Sequence, residues 1–249
     1  MSQGGYSNSG HRYRTISDVW RHSPSAKPTS VVPGHDDDQW YEKSRQYWER
    51  SELTDDGVLG GFGHISEIDL QSSKKLICSL PGLNRNRALD CGSGIGRIVK
   101  GLLLPLFQHV DLVEQSPSHI EAARATLASH PSMKTFYQDG LQAFTPTPDF
   151  YDLIWIQWVV GYLTDADLEQ FLDRCAAALF SPNAVVVLKE NVARREFFLD
   201  ADDNNVTRTL DQFQALFRRT QLILVKTRVQ EGFPKDLHPV YTFVLRRRT

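Results

Sequence analysis

The sequence predicts an α/β fold: a mostly parallel sheet covered by helices, with one antiparallel strand near the C-terminus and extra helices at the N-terminus. Three observations predict it. Beyond residue 87, short apolar runs alternate with helical patterns, the order that builds a parallel sheet with helices on its faces. A glycine-rich turn, Gly92-Ser93-Gly94-Ile95-Gly96, joins the first such run to the next helical pattern. The last two runs, 222–229 and 240–246, are separated only by the turn 231–239. That is too short for a crossover helix, so these two strands should pair antiparallel.

The elements follow in chain order. Residues 1–38 are rich in Ser, Gly, Pro, His and Arg and lack an apolar period, so a disordered or loosely attached tail is expected there. Residues 39–249 form the expected globular domain. Trp40, Tyr41, Tyr47 and Trp48 recur at helical spacing and predict a helix over about 37–50. Leu59-Gly60-Gly61-Phe62-Gly63 reads as a flexible loop, and 66–80 as a helix stopped by Pro81-Gly82. Strands are expected at 87–90, 109–114, 135–138, 151–158 and 184–190, and helices at 95–107, 118–128, 164–180 and 204–219. Ser116-Pro117 and Thr164 or Asp165 supply helix start signals.

Composition narrows the function. In 249 residues, Lys+Arg number 28 and Asp+Glu 30, a formal net charge of −2. That balance argues against holding nucleic acid by bulk positive charge. The apolar runs fall far short of the ~20 residues of a membrane-spanning helix, and residues 1–6 carry no export signal. The 3 cysteines are widely spaced and give no C-x-x-C pattern, and the 8 histidines are scattered, so no metal site is expected. A soluble protein of the cytoplasm or nucleus follows, and a monomer is expected.

The glycine spacing is G-x-G-x-G, not the G-x-G-x-x-G of a dinucleotide site. Asp90, just before the loop, suits a cationic ligand portion. Glu114 ends the next strand, 24 residues later, where a carboxylate can accept both hydroxyls of a ribose. Gln115 and Ser116 stand at its rim. Asp139-Gly140-Leu141-Gln142 and Gln157-Trp158 follow two further strands. All four stations lie at C-terminal strand ends, where ligands bind in open α/β sheets. Together they point to S-adenosylmethionine, which carries a sulfonium and an amino-acid end and no phosphate. NAD is the competing ligand, and the glycine spacing disfavours it.

Several stretches are similar to one family: Leu59-Gly60-Gly61-Phe62-Gly63-His64-Ile65-Ser66, the glycine loop through Arg97, Leu102-Leu103-Leu104-Pro105-Leu106-Phe107, Trp155-Ile156-Gln157-Trp158-Val159 and His238-Pro239-Val240-Tyr241. They resemble the eukaryotic protein N-terminal methyltransferases, which act on the α-amino groups of proteins beginning Xaa-Pro-Lys. The resemblance covers about 40–246. It implies the Rossmann-like sheet of class I methyltransferases, S-adenosylmethionine as cofactor, and S-adenosylhomocysteine as product. By resemblance, Gly92, Gly94, Arg97, Glu114, Gln115, Ser116, Leu141, Gln142, Gln157 and Trp48 would contact the cofactor. Trp158 would line the pocket for the substrate proline, and Asn191 would bind the first substrate residue. Asp200 would meet the lysine and Asp203 the reacting amine, while Leu59, Tyr162, Tyr241 and Trp48 wall the channel. On this reading Asp203 and Asn191 are the catalytic candidates.

The chain departs from the family at Tyr162, where a histidine is usual, and an unperturbed phenol of pKa ~10 is a poor base. Plainer readings stay open for several residues. The run Asp200-Ala201-Asp202-Asp203 also suits a solvated loop before a helix. Trp158 could be core, and Asn191 a turn residue. A small-molecule methyltransferase, or a non-catalytic partner that keeps the fold, are the alternative functions.

Overall fold

The computed structural model describes residues 4–22 and 38–248. The chain opens with β1 (Gly5–Ser7), β2 (Arg12–Tyr13) and α1 (Ile16–His22), followed by α2 (Asp38–Trp48), α3 (Asp55–Val58) and α4 (Ser66–Cys78). The alternating part runs β3 (Arg87–Cys91), β4 (His109–Glu114), α5 (Pro117–Leu127), β5 (Met133–Gln138), β6 (Leu153–Gln157), α6 (Asp165–Ala178) and β7 (Val185–Asn191). It closes with β8 (Phe197–Asp200), β9 (Asn205–Thr207), α7 (Leu210–Arg219), β10 (Leu222–Val229) and β11 (Val240–Arg247).

Among the described residues, seven strands form the main sheet in the order β10-β11-β7-β6-β3-β4-β5. β11 runs antiparallel to both its neighbours, and the other pairs are parallel. This is the architecture expected, with β11 as the one reversed strand. Every residue of β6 is buried, as are all of β7 except Asn191, because helices cover both faces. Helix starts follow the sequence signals. Ser116 caps α5 ahead of Pro117, Thr164 caps α6, and Thr209 closes a capping box with Gln212 on α7.

Three expectations need correction. The helix expected over 95–107 begins later, because Gly94 and Gly96 take φ of 54° and 85°. Its Val99–Leu103 turn is π-helical, with the Leu104 amide donating to Val99 O at 2.9 Å, and Pro105 follows immediately. The helix expected from 204 begins only at Leu210. Residues 205–207 instead pair antiparallel with β8 around an acidic turn where Asn204 has φ 59°.

The third correction concerns the tail. β1 lies parallel on β8, pairing Gly5 with Phe197 and Ser7 with Leu199, and β2 folds back on β1. A Cβ at Gly5 would meet the Phe197 ring and backbone oxygen at 2.5 Å, so glycine permits the contact. In α1, Val19 is buried and Trp20 packs edge-on against Trp40 at 5.2 Å. Residues 4–22 are therefore part of the body. A three-residue strand whose partner lies about 190 positions away leaves no local periodicity to read. The rest of the expected tail, 23–37, lies outside the described residues.

Candidate active site

β3 is the point where the sheet changes direction: the chain builds outward through β4 and β5, then returns to place β6 on the other side of β3. A crevice opens at such a point beyond the strands' C-terminal ends. Here it is a cleft lined by Trp48, Leu59, Gly92, Gly94, Arg97 and Glu114, and by Gln115, Ser116, Gln157, Trp158 and Tyr162. A neighbouring pocket shares Gly92, Glu114 and Tyr162 and adds Asp139, Leu141 and Gln142.

The glycine loop shapes the floor. Gly92 has φ 70°, and a Cβ there would meet the Val159 side chain at 2.5 Å. Only glycine lets the loops after β3 and β6 approach so closely. Glu114 ties the loop to α5. Its Oε2 accepts from the Gly94 amide at 2.9 Å and its Oε1 from the Ser116 amide at 2.8 Å. Asp90 is buried, and its Oδ2 has no hydrogen-bond partner among the described residues; nor has Ser93 Oγ. Burial pushes the Asp90 carboxyl up to about 7, with Arg97 opposing and Glu114 adding to the rise. A buried acceptor of this kind suits a cationic ligand group.

Gln157 and Trp158 follow β6. The Gln157 amide group donates to both oxygens of Asp69 at 3.0 Å and accepts from Trp155 Nε1 at 2.9 Å. Trp158 has φ 53°, a strained value for a side chain of this size, held by its amide donating to Lys189 O at 3.0 Å. Its Nε1 is buried without a partner among the described residues, Arg97 lies 5.5 Å over its ring, and Phe233 lies 6.4 Å away.

The turn after Trp158 carries Tyr162 and is clamped from below. Arg208, fully buried, donates to Val160 O at 2.8 Å and Leu163 O at 2.7 Å, and to Asp165. Glu190 is buried against the same turn. Burial pushes its carboxyl up to about 7 against the pull of the Asn191, Val160 and Val159 amides. The Tyr162 hydroxyl donates to Asp203 Oδ2 at 3.0 Å, and the Asn205 amide donates to Asp203 Oδ1 at 3.1 Å. Asp203 is 8% exposed. Its carboxyl is raised to about 6 by burial and by Asp200, while Tyr162 pulls it down. Burial and the Asp203 charge hold the Tyr162 phenol well above its usual range. Tyr162 is thus a proton-bearing donor, and Asp203 is a carboxylate poised to exchange a proton near neutrality.

Asn191, Asp200, Asp203 and Tyr241 do not line the cleft, and Asp203 meets it only through Tyr162. Asn191 ends β7 with its amide on Glu190, and Tyr241 stacks on Phe243 at 5.9 Å. Asp200 is held from outside, where Asn8 donates to its Oδ1 at 2.7 Å and to Asp202 Oδ2 at 3.2 Å. Other cleft or supporting residues escaped the sequence reading, Arg45, His119, Asp69 and Lys189 among them. His119 lines the cleft and bridges Ser116 Oγ at 2.9 Å and Ser51 Oγ at 3.1 Å, with burial lowering its pKa. Asp69 and Lys189 are buried beneath Arg97. One polar residue on a helix and one in an apolar strand carry no signal that they meet.

The crevice at the switch point, the positive-φ glycines and the carboxylates Asp90 and Glu114 define a methyltransferase of the class that uses S-adenosylmethionine. The chain belongs to the AdoMet-dependent proline di-methyltransferase family, whose model matches residues 36–246. It is similar to the Alpha N-terminal protein methyltransferase 1 of Dictyostelium discoideum, 40% identical with 98% of this chain and 91% of the relative covered. It is 43% identical to the human N-terminal Xaa-Pro-Lys N-methyltransferase 1, with 85% of this chain and 97% of the relative covered. Among solved structures, a SAM-dependent methyltransferase from Leishmania major matches with a TM-score of 0.90 and 36% identity, covering 99% of this chain and 97% of that one.

Proposed function

We propose that this protein methylates the free α-amino group of proteins beginning Xaa-Pro-Lys. The observation that carries the reading is Tyr162 at the wall of the nucleoside cleft, its hydroxyl donating to Asp203 outside the cleft lining, in a chain about 40% identical to relatives named for this activity. The cofactor supplies, when bound, a methyl group on a positively charged sulfur that needs no further activation. Arg97 and Asp90 suit the carboxylate and ammonium of its amino-acid end, Glu114 the ribose hydroxyls, and Leu141 and Gln142 the adenine.

The residues of this chain then have two tasks, placing the amine and removing its proton. An α-amino group has a pKa of ~7.7–8.0 against ~10.4 for lysine, so roughly a tenth to a sixth of it is neutral at pH 7, against under a thousandth of a lysine. Trp158 offers an indole face to the flat, apolar proline ring, with Leu59 and Trp48 beside it. Asp203 Oδ2 retains lone-pair capacity beside the Tyr162 hydroxyl and accepts the amine's proton. Tyr162 keeps its own proton and holds that carboxylate in place, so it does not stand in for the usual histidine as a base. Asp200 suits the substrate lysine, and Asn191 and Tyr241 the outer channel. The cysteines, none in a disulfide, support a reducing setting, cytoplasmic or nuclear.

The test is a peptide panel with S-adenosylmethionine read by mass spectrometry. Xaa-Pro-Lys peptides should gain methyl masses on the N-terminus, and the same peptides with acetylated N-termini should gain none. Methylation of small amines with none on any peptide would overturn the reading.

A further inference from the structure

We infer that Asp69 and Lys189 form a buried clamp that aims Arg97 at the carboxylate of the cofactor and leaves the Asp69–Arg97–Lys189 cluster a net positive charge. The inference rests on the cofactor assignment above. Asp69 on α4 is fully buried. Its Oδ2 lies 2.8 Å from Arg97 Nη2 and its Oδ1 2.5 Å from Lys189 Nζ, while Gln157 donates to both oxygens. Lys189 Nζ also donates to Ser73 Oγ at 3.0 Å and Gln230 Oε1 at 2.8 Å. Three acceptors around one nitrogen account for the three N–H groups of an ammonium.

One cation would be enough to compensate a buried carboxylate. Here there are two, so Asp69, Arg97 and Lys189 together carry one net positive charge. Only Arg97 of the three lines the cleft. Lys189 therefore balances Asp69 out of the ligand's reach, and the guanidinium charge is not consumed by its own partner. Asp69, with Ser66 Oγ at 3.3 Å from Arg97 Nη1, fixes the orientation of a planar fork whose other N–H groups are free to meet a carboxylate. Asp69 and Lys189 are positioning residues; neither touches the ligand.

Calorimetry on the full chain separates this role from a merely structural one. The two probes are S-adenosylhomocysteine and 5′-methylthioadenosine, which shares the nucleoside and thioether but lacks the amino-acid end. Asp69→Asn and Lys189→Met should each weaken S-adenosylhomocysteine about tenfold, the scale of outer-shell losses at other tightly built sites. Binding of 5′-methylthioadenosine should stay within about twofold. In an Arg97→Met background, Asp69→Asn should add almost nothing, because the interaction it supports is already gone. Gln230→Leu, which removes one surface-side acceptor of Lys189, gives a smaller loss of the same kind should the other variants fold poorly. Equal weakening of both probes, or no weakening of S-adenosylhomocysteine, overturns the clamp. A wild-type chain that binds neither probe overturns the cofactor assignment instead.

Discussion

Replacing Tyr162 with Phe tests the proton-transfer reading most directly. The change removes one O–H donor at 3.0 Å from Asp203 Oδ2 and leaves the ring and the Asn205 amide in place. A hydrogen bond to a charged acceptor contributes about 1.5–3 kcal/mol. The lower end applies because Asp203 keeps a second donor and some contact with water. At ~1.36 kcal/mol per pKa unit, the loss raises the Asp203 carboxyl by about one unit. The direction follows from the wild type, where burial and Asp200 already hold it at about 6 and Tyr162 pulls it down. The base works when ionised, so kcat/KM on an Xaa-Pro-Lys peptide should rise with pH through about 6 in the wild type. In Tyr162→Phe that limb moves up by roughly one unit, so the rate falls about tenfold well below the limb and little above it. Asp200→Asn removes a like charge and should move the same limb down. Full pH–rate profiles of the three proteins decide the matter. Limbs that coincide, or that move together in one direction, refute Asp203 as the base. The same raised pKa links to stability. Above the unfolded value of 3.8 the native state keeps a proton that the unfolded chain has lost, so this group's contribution falls as pH rises from about 4 to 6.

Four further outcomes are expected. Asp90 sits at about 7 and would be driven to ionise by a ligand ammonium, so S-adenosylhomocysteine should bind more tightly at pH 8 than at pH 6, with proton release measurable by calorimetry in buffers of different ionisation enthalpy. Gly92→Ala places a methyl 2.5 Å from Val159 at φ 70°, and should cost about 1–3 kcal/mol in denaturant melts and lower cofactor affinity at least tenfold. Arg208→Met strips the Val160 and Leu163 carbonyls and Asp165 of a buried donor and should destabilise by about 3–5 kcal/mol, read as a lower denaturation midpoint. Asn8→Ala frees Asp200 and Asp202 from their outside partner and should raise KM for peptide a few-fold while kcat and S-adenosylhomocysteine binding hold.

The sequence by itself determined the main sheet and pointed to the strand ends where its cleft opens. Alternating apolar runs and helix caps set β3 to β7 and α5 to α6, because each signal is local: a period of two or 3.6, a Ser or Thr before a helix. The brevity of the final turn was enough to set β10 and β11 antiparallel to each other, while the insertion of β11 beside β7 is read only from the fold. Gly92, Glu114, Leu141 and Trp158 were legible because strand ends in such sheets face one crevice. Only the tertiary structure decided the rest. Residues 4–22 looked like a tail because β1 is stable only against β8, nearly the whole chain away. Residues 205–207 read as helix until β8 offered an edge to pair with. Asp69, Lys189 and Arg97 belong to three different elements, and no spacing records that a helix, a strand and a loop end bring them together. Chemistry that depends on desolvation is equally absent from the string of residues. Asp203 differs from a solvent-exposed aspartate because the folded protein buries it beside Tyr162 and Asp200, and burial is a property of the fold alone.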